Sequence, residues 1–229
     1  MIAKPIAEEK YAYFYNKIYD QEHQMQGVEC VLREKNRQEE WHLPQNIDQL
    51  PFFILQNSLT DGLGVMNRSG FKVIIKLTLQ QFLSREFKKK IALSVKELQP
   101  YQLVIEMSHD EIANNKKSLK KISRRMKRCK EYGILFSINN LGADFHFAKN
   151  VHKLLPLVNM LKLDMRYFKD KQKWLDLTIN FWIKLAKKYQ LELVISGVET
   201  MEDEQLVNQL QVNLRQGYLY GVPQQKIVE

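Results

Sequence analysis

From Phe71 to its end the chain alternates between short apolar runs and longer amphipathic stretches. The runs are Phe71–Thr78, Gln102–Met107, Ile134–Ile138, Met160–Leu163 and Leu191–Ile195, with a last one near Val212–Tyr218. Runs this short and this rich in β-branched and aromatic residues read as strands buried on both faces. Between them the spacing predicts helices over Gln80–Leu98, Glu111–Tyr132, Lys171–Tyr189 and Met201–Leu210, and a loop with a helical segment up to Leu155. Two further strands precede this series, Tyr11–Tyr19 and Gly27–Arg33, only 7 residues apart. A helical crossover needs more chain than that, so the pair is expected as an antiparallel hairpin. Glu34–Leu50 reads as a polar excursion leading into a helix over Pro51–Met66, and Asn67–Gly70 as a turn. Together these elements predict an α/β fold, a modified (β/α)8 TIM-like barrel with an antiparallel first strand. Without a linker or low-complexity stretch, residues 1–229 are expected to form a single domain.

Composition excludes several classes. No run approaches the roughly 18 apolar residues of a membrane span. Cys30 and Cys129 lie far apart and in no metal-type spacing. With no apolar leader-like run at Met1–Pro5, they read as reduced thiols in a cytoplasmic protein. Lys plus Arg exceeds Asp plus Glu, 35 against 26, and the net charge of +9 favours anionic partners without naming one.

A polar residue stands in or just after nearly every apolar strand. In order these are Glu29, Lys76, Glu106, Asn139 with Asn140, Lys162 with Asp164, Ser196 with Glu199, and Gln216. In a barrel the carboxyl ends of the strands converge, so these positions would share one pocket. Glu29 is the least expected of them, because a carboxylate inside an apolar strand needs a partner.

The order of these pieces resembles the EAL domain, whose active members are metal-dependent phosphodiesterases that open cyclic di-GMP. Tyr15–Ile18 stands where that family has Y-Q-P-I, and Glu29–Arg33 stands for E-A-L-L-R. Val73–Thr78 stands for V-S-V-N-L-S, Glu106–His109 for E-I-T-E, and Ile138–Gly142 for I-D-D-F-G. Leu161–Asp164 stands for I-K-I-D, Ser196–Thr200 for E-G-V-E-T, and Gln216–Pro223 for Q-G-Y-L-F-G-R-P. The resemblance runs from about Tyr13 to Pro223 and implies a two-metal site that activates water for attack on phosphorus.

On the positions this resemblance assigns to that chemistry, Glu29, Glu106, Lys162 and Glu199 are kept. Lys76 stands at the Asn position, Asn139 and Asn140 at the two Asp positions, Ser196 at the seventh-strand Glu, and His109 at the last residue of E-I-T-E. An ammonium cannot ligate a metal, and it repels a dication by about 4 kcal/mol per unit-charge pair at 4 Å and an effective dielectric near 20. The expectation is therefore an inactive, stand-alone EAL-like domain with no catalytic residues, no metal and no cofactor, in which Glu29, Lys76, Glu106, Asn139, Asn140, Lys162 and Ser196 are vestigial.

Two readings of Lys76 stand at this point. It acts as a built-in counter-ion for a phosphate, or it pairs with Glu29 and Glu106 and closes the site. In the first case Arg33, Lys76, Asn139, Asn140, Lys162, Glu199 and Gln216 would contact ligand, Arg33 through its fork geometry. Departures at Asn16, Lys17 and Leu141, and a rewritten loop Ala143–Phe147, count against a ligand.

Lys116–Lys130 has 9 Lys or Arg among 15 residues and no acid. Leu119, Ile122, Met126 and Cys129 recur at helical spacing, so one narrow face is expected to be buried and the rest solvated. Lys116, Lys120, Arg124, Arg125, Lys127 and Arg128 are candidates for docking an acidic protein; sequence-specific nucleic acid is disfavoured, because no recognised motif is present. Lys171–Tyr189 carries Trp174, Ile179, Phe181, Trp182 and Ile183 around much of its circumference, read as thick packing or as a homodimer or partner face. The expected function is binding, first as a regulatory protein-interaction module, alternatively as a metal-independent cyclic di-GMP receptor, and least as an active phosphodiesterase.

Overall fold

In the computed structural model, which describes residues 10–50, 70–141, 149–168 and 172–227, the apolar runs form the walls of a closed barrel. The strands are β1 (Tyr11–Tyr19), β2 (Met25–Lys35), β3 (Trp41–His42), β4 (Lys72–Lys76), β5 (Gln102–Ser108), β6 (Leu135–Leu141), β7 (Met160–Asp164), β8 (Glu192–Ser196) and β9 (Leu214–Gln216). β1 pairs antiparallel with β2, from Tyr11 opposite Glu34 to Tyr19 opposite Met25. From β2 through β4, β5, β6, β7 and β8 to β9 all pairings are parallel, and β9 returns to β1 antiparallel. Eight strands thus close, and the two-residue β3, inside the stretch expected as a polar excursion, only extends the edge of β2.

Side chains alternate across a strand, so each strand feeds two cores. Outward residues such as Val73, Ile105, Phe136, Leu161 and Ile195 join Phe87, Ile91, Ile122, Met126, Ile179 and Trp182 from the surrounding helices. Inward, Ile18, Ile74, Val104, Met160, Val194 and Leu214 form a separate apolar layer that plugs the barrel. At the mouth nearer the strands' amino ends Lys72 pairs with Glu192 at 2.9 Å. Gly27 adds no side chain to this layer; a Cβ there would stand 2.6 Å from the Lys72 carbonyl oxygen. One pleat nearer the carboxyl ends, the inward positions are Asn16, Glu29, Lys76, Glu106, Ser137, Lys162, Ser196 and Gln216. The polar ring is therefore the layer above an apolar plug.

The helices depart from the expected ones in two places. The segment expected over Gln80–Leu98 is α1 (Leu79–Phe82) and α2 (Arg85–Glu97). Thr78 caps α1, and the Ser84 hydroxyl accepts from the Phe87 amide at 3.0 Å and starts α2 afresh. The segment expected over Glu111–Tyr132 is α3 (His109–Asn114), a 3-10 turn Lys116–Ser118, and α4 (Leu119–Lys130). The break falls at Asn115, whose side chain donates to the Glu111 carbonyl at 2.8 Å; Lys116 therefore precedes the basic helix. Beyond these lie α5 (Lys149–His152), α6 (Gln172–Tyr189) and α7 (Met201–Gln209). On α6, Ile179 and Trp182 are buried, Ile183 is half-buried and Phe181 is exposed. The helix expected over Pro51–Met66, the loop Ala143–Phe147 and the Trp174 side chain lie outside what is described. Among the described residues no helix is long and apolar enough to cross a membrane.

Candidate functional site

The polar layer opens into a cavity of about 260 Å³ at the carboxyl ends of the strands. Glu29, Arg33, Lys76, Asn139, Asn140, Lys162, Ser196, Glu199 and Gln216 all line it, so residues up to 187 positions apart, from Glu29 to Gln216, meet as the polar ring required. Glu106 does not line it. Its carboxylate is fully buried just below, and His109, also buried, turns instead to Asp110 at 3.0 Å.

Lys162, 6% exposed, is the cation that neutralises this interior. Its Nζ donates to Glu29 Oε2 at 2.6 Å and stands 3.9 Å from Glu106 Oε1. Of the two readings of Lys76, the one that pairs it with Glu29 and Glu106 is thereby corrected. Lys162 crosses the barrel to take both carboxylates, and Lys76, exposed at the end of β4, makes no ion pair among the described residues. Burial pushes the Glu29 carboxyl up, but the Lys162 ammonium, with help from Lys76, outweighs it and holds Glu29 below the usual carboxylate range. Burial, aided by the charge of Glu29, wins at Glu106 and raises it. Burial lowers Lys162, yet Glu106 and Glu29 raise it above an ordinary lysine.

The two amides of β6 do different things. Asn139 donates through Nδ2 to Glu106 Oε1 at 2.6 Å, while the Ser137 hydroxyl donates to Oε2 at 3.2 Å. Asn140 adopts φ 57°, and the β6–β7 register shifts between Ile138 and Leu141. The strand therefore runs through both amides to Leu141 instead of ending at Ile138, and the shift accommodates the left-handed residue. Asn139 Oδ1 and Gln216 Oε1 are buried acceptors with no partner among the described residues.

Sequence reasoning missed Arg166. Its guanidinium forks onto Asp164, Nε to Oδ1 at 2.9 Å and Nη2 to Oδ2 at 2.5 Å, at the cavity wall. Burial would raise Asp164, but its side-chain and backbone bonds from Arg166 hold it low. The signal was present, since Asp164 accepts the amide two residues on, an Asx turn written as Asp-x-Arg after a strand. Gly197, at φ 78°, leaves room for the pair; a Cβ there would stand 2.7 Å from Asp164 Oδ1. The neighbouring loop that presents Glu199 is held by a capping box between Thr200 and Asp203.

Residues 3–223 match the EAL domain family. The chain belongs to that family. A curated relative, the probable cyclic di-GMP phosphodiesterase PdeB of Escherichia coli (strain K12), is 29% identical over 125 residues, 55% of this chain and 23% of that protein. The match thus spans under a quarter of that relative's length. The EAL domain of FimX from Pseudomonas aeruginosa, solved bound to cyclic di-GMP, is similar with a TM-score of 0.77 at 16% identity, over 94% of this chain and 91% of that one. The EAL enzyme Bd1971, solved in a cAMP- and cyclic-di-GMP-bound form, gives a TM-score of 0.74 at 18% identity, over 93% of this chain and 62% of that one. At such identities the likeness is one of fold.

In this EAL domain three carboxylates in or just below the cavity already have donors. Glu29 holds Lys162, Glu106 holds Asn139 and Ser137, and Asp164 holds Arg166. Among the described residues no three His, Cys, Asp or Glu side chains gather as a metal-binding group. On the outer face, Lys120, Arg124, Lys127 and Arg128 of α4 are exposed as expected, and so is Lys116 on the turn before it. Arg125 is a correction. It is half-buried, and its Nη1 donates to the carbonyls of Phe82 at 2.8 Å and Ser84 at 2.7 Å, because the break between α1 and α2 leaves those oxygens to be satisfied.

Proposed function

We propose that this EAL domain acts by binding, taking a phosphate-bearing ligand of the cyclic di-GMP class without metal and without hydrolysing it. The observation that carries the reading is the unpaired ammonium of Lys76 in a cavity whose Glu29 and Asp164 carboxylates are already held by Lys162 and Arg166. Hard dications need several free anionic oxygens, and this donor set offers ammonium, amide nitrogen and hydroxyl in their place. The same groups suit a phosphate. Lys76 and Arg33 supply charge, and the Asn140 amide can donate to an oxyanion. The unpartnered Asn139 Oδ1 and Gln216 Oε1 are acceptors suited to the N–H groups of a base. Support from relatives is that the FimX EAL domain and Bd1971 were both solved with cyclic di-GMP.

The test is calorimetric titration of cyclic di-GMP into the protein, once with Mg²⁺ and once with EDTA. Binding is expected in both. Lys76→Ala should weaken it by roughly ten- to a hundredfold, the worth of a charged hydrogen bond of about 1.5–3 kcal/mol. Linear pGpG forming at an enzyme-like rate in Mg²⁺ or Mn²⁺ would overturn the non-hydrolytic reading. Absence of binding in both buffers would overturn the receptor reading and leave the second one, a regulatory protein-interaction module. The exposed cations of α4 favour that alternative.

A further inference from the structure

A second cavity, about 390 Å³, lies on the outside of the barrel between α2 and α4. Its floor is apolar: Phe87, Ile91 and Cys129 are each 3% exposed or less. Lys88 stands on the α2 side, and Lys121, Arg124 and Arg128 on the α4 side, all exposed. Tyr132, 51% exposed, closes one end, and Glu131 is the one acid among the lining residues.

This charge is not compensated from within. Among the described residues, Lys88, Lys121, Arg124 and Arg128 take part in no ion pair. The first turn of α4 holds no acid, and Lys120 and Lys121 sit there against the positive end of the helix dipole. Lys120, Arg124 and Arg128 follow one another at four-residue spacing, where like charges repel. Burial, then Arg128 and Arg124, hold the Arg125 guanidinium below its ordinary value. Arg125 also ties α4 to the junction of α1 and α2 through two carbonyls, so both walls of the cleft are braced.

A ligand for this cleft has to satisfy both parts. Phosphate alone would use the cations and leave the apolar floor wet. A nucleic-acid backbone tracks a positive stripe and gains its other contacts by stacking on exposed aromatic platforms, whereas this floor is recessed, its Phe87 ring is fully buried, and Tyr132 at one end is the one exposed ring among the lining residues. An apolar side chain seated in a desolvated pocket, ringed by charge pairs, is how protein partners anchor. We infer that the α2–α4 groove docks an acidic segment of a partner protein, one large apolar side chain filling the pocket and flanking carboxylates meeting Lys88, Lys121, Arg124 and Arg128. The inference is independent of the ligand cavity inside the barrel.

The experiment is selection of a displayed random-peptide library on the full chain, followed by fluorescence polarisation of the best synthetic peptide. The expected winners carry Asp or Glu on both sides of one Leu, Phe or Trp. Replacing that apolar residue with Ala should weaken binding about tenfold or more, and raising the salt should weaken it steeply. Arg124→Glu with Arg128→Glu should abolish binding, and Lys88→Glu on the opposite wall should do so separately. Both variants should keep the wild-type melting profile and bind cyclic di-GMP as the wild type does. The inference is overturned if no acidic peptide is enriched, if charge reversal in the folded variants leaves binding intact, or if a single-stranded RNA oligonucleotide or phosphatidylserine vesicles bind this face more tightly than the best peptide.

Discussion

Replacing Lys162 with Met keeps most of the side-chain volume and removes the one cation within 4 Å of Glu29 and Glu106 among the described residues. The side chains of Lys162, Glu29 and Glu106 are 7%, 15% and 0% exposed, so solvent does little to screen what is left. Breaking a buried pair by removing one partner costs about 3–5 kcal/mol. For a chain of this size each kcal/mol moves the melting temperature by about 2–4 °C, so the variant should melt roughly 6–20 °C lower at neutral pH. The pH dependence gives the sharper readout. Glu29 is held below its unfolded value of 4.5, so its contribution is complete above that pH and is lost as pH falls through the lower folded value. Lys162 is raised above 10.5, so its contribution is complete below that pH and is lost as pH rises through the raised value. Glu106, raised, works in the opposite sense and favours the fold while protonated. The deficit of Lys162→Met should therefore be largest near neutrality and shrink as pH falls into the carboxylate range. Thermal unfolding followed by circular dichroism across that range decides it. A loss under about 1 kcal/mol at neutral pH, the ordinary effect of a point mutation, would refute the reasoning, and so would a loss equal at every pH.

Asn140, at φ 57°, should tolerate Gly with little change, whereas Asn140→Val should lose about 1–2 kcal/mol by equilibrium denaturation, since a β-branched residue is strained there. Burial pushes the Cys129 thiol up to about 11 and raises Cys30 well above its usual value, so at mildly alkaline pH neither should react with a thiol reagent until the protein is unfolded. Arg125→Ala should destabilise by about 1–3 kcal/mol through its two lost carbonyl bonds, while Arg124→Ala, one residue away and solvated, should stay within about 0.5 kcal/mol in a chemical melt.

The barrel was legible because its signals are local. Alternating short runs and amphipathic stretches mark strands and helices, and 7 residues between β1 and β2 leave only a hairpin. The breaks at Ser84 and Asn115 were written in capping residues but were hidden inside longer helical patterns. The site was legible as a set. The period of two that builds each strand carries an inward apolar residue one pleat below an inward polar one, as in Ile74 and Lys76, Val104 and Glu106, Met160 and Lys162.

Which member of that set meets which was not legible. Lys76 and Lys162 are both lysines at strand ends, and nothing local says that Lys162 rather than Lys76 reaches Glu29, 133 residues earlier in the chain. That choice rests on the distance across a closed barrel. Arg124 and Arg125 are likewise adjacent and identical, yet one faces water and the other bonds Phe82 and Ser84, because only the packed neighbour supplies free carbonyls. The sequence by itself determined that the barrel strands exist, their inward and outward faces and the residue types brought to the carboxyl ends, since those follow from periodicity along the chain. Only the tertiary structure decided the pairing of charges, the partners of Arg166 and Arg125, and the groove between α2 and α4. Those depend on distances between residues that the chain itself keeps far apart.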